Sequence, residues 1–146
     1  MMQKKNDRSR MLNELYRVSK MGMEASEEVL LRTRGDGLRE QIKKQDEKYI
    51  NLMEKSAALL KQQHEQPVGV SQGTQNMLRG AVKANTFFQH NPQHIAELMV
   101  RGTTMGIVDV TKVLNHTPDC DVKTRKLAEA YINTEEQNVD SLKRFL

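Results

Sequence analysis

The chain has 146 residues, 37% of them hydrophobic and 29% charged, with a formal net charge of +4, no Trp and a single Cys. That length suits one domain able to bury a core without disulfide or metal support. Cys120 cannot pair within the chain, which fits a reducing cytoplasm. No apolar run approaches the roughly 18 residues that cross a bilayer, and the opening Met-Met-Gln-Lys-Lys-Asn-Asp-Arg lacks a signal peptide's apolar stretch. The expectation is a cytoplasmic protein without a membrane partner.

Leu12, Leu15, Ser19, Gly22, Ser26 and Val29 recur at spacings of three and four and predict a first helix over residues 7–34. Residues 1–8 then form a mobile basic N-terminus. Gly35-Asp36-Gly37 stops that helix and starts the next. The turn also accounts for Arg34-Gly35-Asp36, which happens to spell a cell-adhesion tripeptide. A second helix over 38–64 carries Leu38, Ile42, Tyr49, Ser56 and Leu59 on one face. So short a connection implies an antiparallel hairpin.

Pro and Gly mark residues 65–91 as a crossover, with a short helix expected over 74–89. A broken third helix over 74–116 is the competing geometry. Asn91-Pro92 supplies a cap and a first-turn Pro for a helix reaching Asn115. Its inward residues include Ile95, Met99, Thr103, Gly106 and Val110. His116-Thr-Pro-Asp-Cys-Asp121 breaks the chain again, and a fourth helix runs to the C-terminus through Ala128, Tyr131, Ile132, Val139, Leu142 and Leu146. The fold expected is an all-α, single-domain, ferritin-like four-helix bundle, made of two antiparallel hairpins joined by the crossover.

Two features bear on chemistry. Gly102 and Gly106 stand one turn apart inside a helix, where each glycine costs about 1 kcal/mol against Ala. Close packing against the small seam Ser19, Gly22 and Ser26 is the expectation, and a ligand channel beside the glycines is the alternative. Glu135 lies in register with Ala128, Tyr131 and Val139 and so points inward, where a carboxylate needs a partner, a metal or a raised pKa. Asp46, Glu27 and Asp109 are the residues that could join it around iron or manganese. A di-iron bundle, however, uses Glu-x-x-His on two helices, whereas Glu135 is followed three residues later by Asn138 and Asp46 by Tyr49. No cofactor is therefore predicted, and Glu135 is expected to be hydrogen-bonded to Tyr or Gln across the core or to sit at a dimer interface.

The remaining signals are weaker. Lys4, Lys5, Arg8 and Arg10 could touch phosphate backbones, but without interleaved aromatic rings they disfavour nucleic acid as a partner. Cys120 is expected to be an exposed thiol with no adjacent base. Met11, Phe87 and Phe145 fall outside the main stripes and suggest a homo-oligomer, possibly a dimer, or an unknown protein partner.

The segments Arg101-Gly-Thr-Thr-Met-Gly-Ile-Val-Asp-Val-Thr-Lys-Val-Leu114 and Leu127-Ala-Glu-Ala-Tyr-Ile-Asn-Thr-Glu-Glu-Gln-Asn-Val139 resemble a bacterial ferritin-like four-helix-bundle family known as a domain of unknown function. The resemblance spans most of the chain and implies the bundle fold and a cytoplasmic bacterial setting, with no activity attached. The wider ferritin-like superfamily implies iron oxidation or storage, and this sequence departs from its pattern at both His-bearing motifs. The functional expectation is a non-enzymatic bundle acting by self-association or partner binding. Metal binding with a reduced ligand set is the first alternative, and weak DNA binding through the basic N-terminus is the second.

Overall fold

The computed structural model describes residues 2–68 and 91–146. Four helices make up these residues: α1 (Met2–Leu30), α2 (Asp36–Gln62), α3 (Pro92–Asn115) and α4 (Val122–Leu142), the last continued by a 3₁₀ turn over Lys143–Phe145. Among the described residues there is no strand, and no helix is long and apolar enough to cross a membrane. The expected crossover helix over 74–89, the part of its broken-helix competitor before residue 91, and Phe87 lie outside the described residues.

Each helix end has a local cause. Asn91 Oδ1 accepts from His94 N at 2.8 Å ahead of Pro92, and Asp121 Oδ2 accepts from Thr124 N at 3.2 Å. α1 stops at Leu30, four residues before the expected end at Arg34, because later groups claim its last carbonyls. Thr33 Oγ1 donates to Val29 O at 2.6 Å and Arg39 Nη1 to Leu30 O at 2.7 Å. Gly35 then turns the chain at φ 103°. α2 closes with His64 at φ 61°, while Glu65 N donates to Leu60 O and His64 N to Lys61 O, a Schellman motif with histidine in the left-handed position.

The beginning of α1 corrects the sequence reading. The helix starts at Met2 instead of Asp7, so residues 2–6 are helical and not a separate tail. Asp7 is buried and holds that end in place: it accepts from Gln3 Nε2 at 2.7 Å and from the backbone N of Asp119 at 2.9 Å. Arg8 reaches Asp121 at 3.6 Å. This docking covers Cys120, which is 7% exposed and not the open thiol expected.

Met11, placed outside the stripes by sequence, is fully buried in a cluster with Leu15, Val18, Val110 and Ala128. A second cluster at the other end joins Val29, Leu38, Ile42, Ile95 and Leu142. Phe145 is half-buried against this second cluster, 3.3 Å from where a Cβ on Gly37 would lie. The 3₁₀ turn explains the change of register: three residues per turn bring Phe145 inward after Leu142 and leave Leu146, expected inward, 60% exposed. A layer of polar side chains lies between the two clusters.

Candidate functional site

The polar layer centres on Glu135, which is 2% exposed. Tyr49 Oη donates to Glu135 Oε2 at 2.7 Å, and Asn138 Nδ2 donates to Oε1 at 2.8 Å. Gln45 Nε2 donates to Tyr49 Oη at 3.2 Å and lies 3.3 Å from Thr103 Oγ1. Gln41 Nε2 closes the circuit, donating to Gln45 Oε1 and Asn138 Oδ1 at 3.2 Å each. Three helices therefore share one network. Burial pushes Glu135 up to about 6, and its bonds from Tyr49 and Asn138 pull the other way. Burial also raises the Tyr49 and Tyr131 phenols, with the nearby Glu135 adding to both.

The four carboxylates considered for a metal have different surroundings. Asp109 Oδ2 takes Arg17 Nη2 at 3.0 Å, and Arg17 also binds Glu14. Those two carboxylates, Glu14 first, hold the Arg17 guanidinium in its charged form. Asp46 is raised to about 6 by burial, with the negative charges of Glu27 and Glu47 adding to the shift. Glu135 is occupied by Tyr49 and Asn138. Among the described residues no three His, Cys, Asp or Glu side chains are grouped to hold a metal ion.

The five small residues meet different surroundings. A Cβ on Gly22 would lie 2.9 Å from the Tyr49 ring, and one on Gly106 would collide with the Tyr131 hydroxyl. Each of these glycines admits an aromatic side chain. Ser19 is sealed in the core and donates to Leu15 O at 2.6 Å. Gly102 differs: a Cβ there meets nothing within 4 Å among the described residues. Ser26 also differs, being fully buried with no hydrogen-bond partner for its hydroxyl among the described residues.

Gly102 and Ser26 face the same space. Between α1 and α3 lies a cavity of about 150 Å³. Its α1 wall includes Val18, Ala25, Ser26 and Val29, and its α3 wall includes Leu98, Met99 and Gly102. Tyr49, Tyr131 and Glu135 reach it from α2 and α4. Arg17 and Asp109, partly exposed, mark its polar edge. Arg17 is a lining residue that periodicity did not single out, and the signal that could have found it was the surplus of cations early in α1. Asn138 and Gln41 were also missed, although Gln41, Gln45 and Tyr49 stand at successive spacings of four.

No family profile, no curated protein and no solved structure matches this chain. The cavity and the network at its floor are what bear on function.

Proposed function

We propose that this chain is a ferritin-like bundle that works by holding a small, mostly apolar molecule between α1 and α3, and not by catalysis. In this reading α1–α2 and α3–α4 form two antiparallel hairpins joined by a crossover. Support for the first hairpin comes from Gln63 bonding Ser9 at one end and Arg39 bonding Leu30 at the other. Support for the ferritin-like order comes from Leu142, near the end of α4, clustering with Val29 near the end of α1 and Ile95 near the start of α3. The setting we propose is the cytoplasm, where Cys120 stays reduced.

The carrying observation is Gly102. A helix glycine costs about 1 kcal/mol against Ala and normally answers to a close neighbour. Gly106 has such a neighbour in Tyr131, and among the described residues Gly102 has none. Gly102 is exposed, and its missing side chain leaves open the solvent-facing side of an apolar cavity. A volume of about 150 Å³ suits one ring or a short chain. Ser26 offers that guest a hydroxyl with no hydrogen-bond partner among the described residues.

Calorimetric titration with benzyl alcohol tests the reading. Saturable binding by the wild-type chain, weakened at least tenfold by Gly102→Leu, is the expected result. No binding, or equal binding by the variant, contradicts it.

A second reading, association of two copies, draws on the outer face of α3. Met105 and Val108 are 64% and 44% exposed there, beside Val100. Light scattering from micromolar to millimolar concentration tests it, and a monomer throughout removes it.

A further inference from the structure

Both oxygens of Glu135 accept hydrogen bonds, one from Tyr49 and one from Asn138. An acceptor-only carboxyl is arranged for its ionised form. Both donors are neutral, so among the described residues the buried charge has no counter-ion in its own network. The cavity's cation, Arg17, is already divided between Glu14 and Asp109. Elsewhere around the space the groups are uncharged: Gly22 and Ser26 on α1, Tyr49 on α2, Thr103 on α3 and Tyr131 on α4. Among the described residues, this apolar cavity with a carboxylate at one end has no positive charge beyond Arg17 to neutralise it. A hydrated metal ion would find one carboxylate and walls of Val, Leu and Met, which suit it poorly.

We infer that the guest of this cavity is a small hydrophobic primary amine, bound as its ammonium ion by Glu135. This rests on the reading of the cavity as a ligand site and specifies its chemistry. An ammonium brings one positive charge and three N–H donors. Each oxygen of Glu135 keeps a second lone pair for such a donor, and the Ser26 hydroxyl, with no partner among the described residues, offers an additional acceptor. Val29 and Met99 then cover the carbon body, the Met thioether adapting to its shape.

The test is calorimetric titration of the full chain with benzylamine and with benzyl alcohol, which share a ring and differ in charge. At pH 7.5 benzylamine is expected to bind at least tenfold more tightly than benzyl alcohol. Burial holds Glu135 at about 6, so lowering the pH to 5 should remove most of that advantage. Glu135→Gln should abolish the preference, with far-ultraviolet circular dichroism and cooperative thermal unfolding showing that the variant is folded. Equal affinity for both compounds in the wild type overturns the amine assignment alone. An unchanged preference in Glu135→Gln does so too. Binding of neither compound overturns the cavity reading and the amine assignment together.

Discussion

The Tyr49 hydroxyl reaches across the bundle to Glu135 Oε2 at 2.7 Å, joining α2 to α4 through a carboxyl that is 2% exposed. This bond is the main anchor of the polar layer. Glu135 also lines the cavity between α1 and α3. Stability and binding therefore depend on the same side chain.

Glu135 should make stability pH-dependent. Its folded value, pushed up to about 6 from 4.5, means that the folded state holds the proton more tightly than the unfolded chain. Its contribution to stability is thus fullest below pH 4.5 and is lost as pH rises through about 6. The whole effect amounts to about 2 kcal/mol. Urea unfolding of the wild type and Glu135→Gln at pH 4.5 and 7.5 checks it. The wild type should lose about 2 kcal/mol more than the variant over that interval.

The two glycines of α3 should respond oppositely to the same substitution. Gly102→Ala gains helix propensity with nothing to strike and should stabilise by about 0.5–1 kcal/mol. Gly106→Ala drives a methyl into the Tyr131 hydroxyl and should destabilise by about 1–3 kcal/mol. Tyr131→Phe in the Gly106→Ala background should recover part of the loss. Thermal unfolding of the wild type and these three variants measures all of this.

His64 carries a backbone cost. A non-glycine residue at φ 61° lies in the left-handed region that glycine occupies freely. His64→Gly should stabilise by about 0.5–1 kcal/mol, the gain being limited by the greater freedom of glycine in the unfolded chain. Chemical denaturation read by circular dichroism gives the number.

Asp7 should protect Cys120. Removing its carboxylate takes the charged acceptor away from the Asp119 N–H and from Gln3 Nε2, a loss of about 1 kcal/mol. The start of α1 should then loosen over the α3–α4 connection. A thiol reagent should label Cys120 slowly in the wild type and severalfold faster in Asp7→Ala. Burial, and secondarily Asp121, also hold the Cys120 thiol up in pKa, which slows the reaction further.

Much of the fold was legible in the sequence. Asn91-Pro92, the Gly35 turn and the three-and-four spacing of α1 each have a local cause, and four helices follow from them. Glu135 was legible as inward because its register with Ala128 and Tyr131 is unambiguous. Asp7 and Met11 were misread for one reason. Asp7, Met11 and Leu15 continue the stripe at spacings of four, but a charged residue at the head of a stripe resembles its end. Only the docking of Asp119 onto Asp7 reverses that impression. Gly102 and Gly106 look identical as letters and differ in what stands across from them, which depends on the placement of Tyr131. The network from Gln41 to Asn138 needed two helices in alignment, which spacing along either one does not supply.

The most direct test of the cavity account is a backbone amide chemical-shift titration of the uniformly labelled chain with benzylamine at pH 7.5. The account predicts saturable shifts grouped at Gly22, Ser26, Gly102 and Gly106, with the Asp7 and Asp119 amides at the far end of the bundle unmoved. Shifts scattered over the surface, or none up to millimolar ligand, would contradict it.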